Sequence, residues 1–197
     1  QHEWEEQEEI RPYQFHYSYI FATIKAGMII IDQQAAHERV LFERYLRALQ
    51  ESRMATQKTL FPQTLHLTTA DAQLLKDLLP EVNALGFDIQ EFGQSDFVVH
   101  GLPADMEGQA EQKVVEGLLE QYKMHESELD IAKRENLARS LAAQMAIKKG
   151  KPLSEKEMRR LIDELFACQD FYKAPNGNRT FVKYTVQELE QQFQKKR

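Results

Sequence analysis

Only one cysteine, Cys168, occurs in 197 residues. An internal disulfide is therefore excluded, and a lone thiol fits a reducing cytosol. No apolar run approaches the ~20 residues that a membrane-spanning helix needs. No secretory leader is visible at the start, so no membrane partner is expected. Glycine and proline are sparse, at 8 and 6 residues, and no Gly-rich nucleotide-binding loop is present. The six histidines show no His-X-X-His or similar metal-binding spacing. The formal net charge is -6, which argues against strong DNA binding by this chain alone, because nonspecific affinity comes from Lys and Arg neutralising phosphates.

What is present is ordinary for a globular protein: 42% hydrophobic and 28% charged residues. The length suffices for one domain with a sizeable core or two small subdomains. The chain opens Gln1-His2-Glu3-Trp4 without Met, which points to a piece of a longer protein. Glu3, Glu5, Glu6, Glu8 and Glu9 make residues 1–9 an acidic, solvated linker end. Lys133, Arg134, Arg139, Lys148, Lys149, Lys151, Lys156, Arg159 and Arg160 make a basic middle. It reads equally as solvated helix faces or as a stripe beside a DNA path.

Phe15 to Ile24 reads as one strand, with Phe15, Tyr17, Tyr19 and Phe21 on one alternating face. Lys25-Ala26-Gly27 is a turn. Met28 to Ile31, apolar throughout, is a strand expected to be covered on both faces. A helix follows over 34–49, with Val40, Leu41, Tyr45, Leu46 and Leu49 on its buried stripe. Residues 65–67 make a short strand. A helix over 70–85 has Thr69 as cap and Gly86 as stop, with Pro80 expected to kink or split it. Strands over 87–92 and 97–99 flank a hairpin turn, and a helix covers 109–123. The rest is mostly helical: 135–149 ending at Gly150, a capping box Ser154-X-X-Glu157 opening a helix to 166, a strand over 181–184, and a second box Thr185-X-X-Glu188.

This pattern is α+β with two subdomains. Residues 10–63 and 132–197 form the larger one, a sheet with helices; residues 64–131 form an inserted helix, hairpin and helix unit. An aromatic strand face and an apolar central strand need more cover than 197 residues readily supply, so a homodimer through the larger part is expected.

The most telling stretch is Asp32-Gln33-Gln34-Ala35-Ala36-His37-Glu38-Arg39-Val40-Leu41-Phe42-Glu43. Polar groups gathered where a strand gives way to a helix are well placed for chemistry, since the helix N-terminus favours anions and polar ligands. The same residues also permit a plainer reading. Asp32 caps the helix, and Glu38, Arg39, Glu43 and Arg44 form a face of paired charges.

Asp-Gln-X-Ala-X-X-Glu-X-X-X-X-Glu resembles the signature of the C-terminal domain of the MutL mismatch-repair family, with Asp32, Gln33, Ala35, Glu38 and Glu43 on its positions. Ser140 to Lys148 and Pro175 to Thr180 match later family segments in the same order, and the resemblance runs from about Tyr13 to Phe193. It implies a homodimerising module that joins two N-terminal ATPase arms. ATP and Mg are implied for that absent domain, with no cofactor in this chain. The mismatch-recognition protein MutS and DNA are implied as partners of the full-length protein.

Some members of the family are metal-dependent nicking endonucleases, and the resemblance carries that site over poorly. The third signature position, His in those members, is Gln34. Their Ala-Cys-Arg places Cys on Ala143 and Arg on Gln144. Their Cys-Pro-His-Gly-Arg-Pro places Cys on Ala174, His on Asn176 and Arg on Asn178. Alanine has no donor atom, and zinc prefers thiolate and imidazole to amides. Asp32, Glu38 and Glu43 remain as a degenerate carboxylate set, so no catalytic residue and no zinc site are expected; a Mg or Mn site is the alternative.

Gln57-Lys58-Thr59-Leu60-Phe61-Pro62 resembles the short motif by which bacterial proteins bind the replicative sliding clamp. Leu60 and Phe61 would be adjacent apolar anchors, Gln57 a hydrogen-bonding group at the pocket rim, and Pro62 a restraint to extended forms. The competing reading places Leu60 and Phe61 in the chain's own core.

Overall fold

The computed structural model describes residues 11–51, 54–106, 110–128 and 132–194; the acidic start at 1–9 lies outside them. The fold is α+β, as the sequence pattern predicts. Among the described residues there are two sheets, one of four strands and one of three. The chain divides into a unit of Gln1–Val40 with Ala146–Arg197 and a unit of Leu41–Met145.

In the first unit, β1 (Tyr13–Phe15), β2 (Tyr19–Ile24), β3 (Gly27–Asp32) and β7 (Phe181–Thr185) form an antiparallel sheet in the order β1-β2-β3-β7. Alternation decides its faces. Ile20, Ala22, Ile29 and Ile31 point inward, onto Ala36 and Val40 of α1 (Gln33–Glu51) and onto Met158, Leu161, Ile162 and Leu165 of α5 (Glu155–Phe166). The register puts Phe21 opposite Ile30 and Ile30 opposite Val182, with Met28 opposite Tyr184, on the other face. Among the described residues nothing covers that face: Phe21, Met28, Ile30 and Val182 are half-buried and Tyr184 is exposed. The expectation that 28–31 is covered on both faces therefore holds for one face among the described residues.

The strand expected over 15–24 is instead a hairpin. His16 and Tyr17 take φ of 50° and 48°, and the turn closes with Ser18 N donating to Phe15 O. Turns with two positive φ values normally recruit Gly or Asn, so nothing in the sequence marked this one. Gly27 is the opposite case, a glycine that its place demands. Its φ is 147°, and a Cβ there would lie 2.0 Å from the Tyr184 carbonyl oxygen. Gly27→Ala is expected to cost about 2–4 kcal/mol and lower the melting temperature by roughly 5–15 °C. A thermal melt within a degree or two of the parent would contradict this packing.

In the second unit, β4 (Thr56–His66), β5 (Asp88–Glu91) and β6 (Asp96–Pro103) form an antiparallel sheet in the order β4-β6-β5. Its core includes Leu65, Phe97 and Val99 from the sheet. Leu75, Leu78 and Val82 join from α2 (Thr69–Ala84), Val115 and Leu118 from α3 (Glu111–Glu128), and Leu137 and Leu141 from α4 (Lys133–Met145). Leu41, Phe42, Tyr45 and Leu49 of α1 join the same core. The units thus part at 40/41 and 145/146, whereas the sequence reading puts the borders at 63/64 and 131/132. The reason is that the second half of α1, Leu65 of β4 and the apolar residues of α4 belong to this core. The inserted unit is accordingly the longer of the two.

Pro80 neither splits nor ends α2. Buried Ala72, Leu75, Leu78 and Val82 lie on both sides of it, and that packing outweighs the missing backbone bond. The cap is Thr68 rather than Thr69, its hydroxyl accepting from Asp71 N. Lys123 holds the Asp71 carboxyl below its usual range, chiefly by a hydrogen bond. Both predicted capping boxes form, Ser154 with Glu157 and Thr185 with Glu188, the latter opening α6 (Val186–Phe193).

Candidate functional site

At the β3–α1 junction each signature residue has a definite contact. Asp32 Oδ1 accepts from the backbone N–H groups of Gln34 and Ala35, both at 3.0 Å. This satisfies two of the donors a helix start leaves open. Its other oxygen lies 3.3 Å from Lys149 Nζ. The Asp32 charge first, then its hydrogen bond, with a smaller contribution from Tyr19, raise the Lys149 ammonium above its ordinary value. The Lys149 nitrogen stands 5.7 Å from the Tyr19 ring centroid.

Gln33 is fully buried. Its amide nitrogen donates to the carbonyls of Lys148 and Lys151, and its oxygen accepts from Gln14 Nε2 at 2.6 Å. Gln14 in turn donates to Lys151 O and accepts from Leu153 N. His37 Nδ1 accepts from Ile147 N, and Gly150 N donates to Tyr17 O. These bonds explain why α4 stops at Met145 and not at 149: residues 147–151 leave the helix to be held by Gln14, Gln33, His37 and the hairpin turn. Sequence reasoning missed Gln14. Its only trace was a polar residue between Tyr13 and Phe15 in an otherwise aromatic strand.

Glu38 and Arg39 are buried charges on α1. Asn176 Nδ2 lies 3.5 Å from Glu38 Oε2. Arg39 Nε donates to the Lys173 carbonyl, and its Nη2 lies 3.5 Å from Asp170. Both residues thereby hold the segment 170–178. Glu43, half-buried, sits about 140° further round the helix than Glu38, so the signature carboxylates do not share one helix face.

The fit to a zinc-like ion is poor. Ala174 is buried and Ala143 half-buried, and neither supplies a donor. The Asn176 amide is engaged by Glu38 and by Asn178 N. Cys168 is half-buried and donates to Glu164 O. Among the described residues, no group of three or more His, Cys, Asp or Glu side chains is placed to hold a metal.

Gln57 to Pro62 lies in β4, an 11-residue strand of which the sequence reading recognised only 65–67. Lys58 pairs with Gly101 and Gln63 with Val99. Residues 59–62 therefore stand opposite the single residue His100 and loop out as a wide bulge. At its tip Leu60 is 90% and Phe61 76% exposed. The reading that buries them in the chain's own core is thereby excluded. Gln57 and Pro62 are exposed as well.

The family model of the MutL C terminal dimerisation domain matches residues 13–153. A DNA mismatch repair protein MutL from Chlorobium phaeovibrioides is 36% identical over 188 residues, covering 95% of this chain and 31% of that protein. Those from Chlorobium chlorochromatii and Chlorobaculum tepidum are 34% and 36% identical, covering 97% and 95% of this chain. Each match takes up 30% of the relative's length, so the chain spans about a third of the curated relatives it matches.

Proposed function

This chain belongs to the family of MutL C terminal dimerisation domains, and from that premise we propose that it pairs two copies of a MutL-type mismatch repair protein and recruits partners to them. The observation that carries the pairing is the open face of the four-stranded sheet. Phe21, Met28, Ile30 and Val182 are too apolar to be left half in water, and Tyr13, Phe15, Tyr19 and Tyr184 extend the same face. An apolar patch of this kind on a single chain marks an interaction site. Its occupant is a second copy, related by a two-fold axis. Light scattering at micromolar concentration tests this: the expected mass is twice the chain's 23.0 kDa, and a monomer mass counts against it.

In the full-length protein the pair would join two N-terminal ATPase arms, where ATP and Mg would bind, and act with MutS and DNA in the bacterial cytoplasm. The sliding clamp is the partner for the Leu60–Phe61 bulge. Two large apolar side chains displayed in water, beside a polar Gln57, suit a pocket with a hydrogen-bonding rim.

A nicking role has less support. Asp32 is spent on the helix cap and on Lys149, Glu38 on the 170–178 segment, and the alanines at 143 and 174 replace ligating types. The chain is expected to carry no stoichiometric zinc and to leave supercoiled DNA intact with Mn. Zinc found by elemental analysis, or nicking lost on Asp32→Asn, would falsify that expectation.

A further inference from the structure

We propose that Thr59 and Gln63 are positioning residues that hold Leu60 and Phe61 out as a preformed apolar knob, so that the free domain already carries the shape its partner's pocket receives. This rests on the clamp reading above and deepens it.

Three hydrogen bonds converge on the Phe61 peptide groups. The half-buried Thr59 hydroxyl accepts from Phe61 N at 3.4 Å and donates to Phe61 O at 3.2 Å. Gln63 Nε2, from the far foot of the bulge, donates to the same oxygen at 3.2 Å. The two feet are fixed by pairing, Lys58 to Gly101 and Gln63 to Val99. Pro62 fixes its own φ and restricts Phe61 before it. A loop tip carrying two exposed apolar residues has no core contact to order it. Here polar side chains order it instead, and they turn toward the loop's own backbone, leaving the apolar pair outward.

The consequence is energetic. A flexible segment must lose conformational freedom when it binds, in its side chains and more so in its backbone. A bulge already fixed in the free domain avoids most of that cost. The bulge also interrupts the outer edge of β4, an edge strand of its sheet, so recognition runs through the knob and not through an added strand.

The test compares clamp affinity of the 197-residue chain with that of a free peptide of residues 56–66, each as parent and as Thr59→Val. In the chain, Thr59→Val should weaken binding roughly three- to tenfold. In the peptide, which has no fixed feet, it should change affinity less than twofold. Thr59→Ser, which keeps the hydroxyl, should restore parent affinity in the chain, and Gln63→Ala should weaken it in the same direction as Thr59→Val. Equal losses in chain and peptide would mean that Thr59 touches the clamp directly, which overturns the proposal. So would parent-like binding by Thr59→Val in the chain. If Thr59→Val lowers the melting temperature, Thr59→Ser and Gln63→Ala decide alone: parent-like binding by Gln63→Ala overturns the proposal. The clamp reading fails separately, when a chain lacking both Leu60 and Phe61 side chains binds as well as the parent.

Discussion

Ile30→Glu is expected to convert the dimer into monomers without unfolding them. Ile30 lies on β3, an inner strand of the sheet, with Phe21 on one side and Val182 on the other. It is half-buried, and its side chain points away from the core formed by Ile29, Ile31 and α5. In a two-fold interface the same residue enters from both copies. A single substitution therefore places two unpaired carboxylates in the apolar centre. Burying one uncompensated charge costs at least ~3 kcal/mol, so dissociation should strengthen by a factor of about 100 or more. Light scattering at micromolar concentration would then give the monomer mass, with the far-ultraviolet circular dichroism of the parent. Phe21→Glu, one strand over, should do the same. Lys183→Glu is the control, because Lys183 is exposed at the sheet edge and alternates to the other face; it should leave the dimer whole. A dimer that survives both Ile30→Glu and Phe21→Glu would move the interface to another surface.

The elements that the sequence announced are those whose local chemistry and tertiary packing agree. The two capping boxes and β7 follow from local signals alone. The α5 stripe, Met158, Leu161, Ile162 and Leu165, is buried at helical spacing. Three features escaped because longer-range contacts decided them. The hairpin at His16 and Tyr17 has no turn residue, and its connection is tied down by Gly150 N on Tyr17 O. The run 56–64 shows no strand pattern, since β4 buries only Leu65 and pairs on one edge. The end of α4 is set by His37 and Gln33, more than a hundred residues away in sequence. At the signature, sequence left open whether Asp32 was a cap or a ligand; its contacts are those of a cap and an ion pair. What the residue types alone conveyed was the loss of donors at 143 and 174, because no fold can make alanine a ligand.

Changing Leu60 and Phe61 together to Ala should abolish clamp binding, by about 100-fold or more, while leaving fold and dimer unchanged. The magnitude follows from how such contacts are built: a few anchors that fill a pocket carry most of the free energy, at roughly 2 kcal/mol or more each. The absence of side effects follows from exposure. At 90% and 76% exposed, the two side chains have almost no packing to lose, so stability should stay within about 0.5 kcal/mol of the parent. The bulge backbone is held by Thr59 and Gln63, not by the residues removed. Gln57→Ala, which removes one hydrogen-bonding group at the rim, should weaken binding less, by about fivefold to tenfold. Surface plasmon resonance against immobilised clamp reads all three affinities, and a thermal melt with light scattering reads fold and dimer. Retained binding by the double variant would reduce the motif to coincidence. A double variant that unfolds would contradict the exposed placement of the two side chains. Loss of binding in a folded, dimeric variant is the one outcome in which this bulge, on the inserted unit, makes the contact with the clamp.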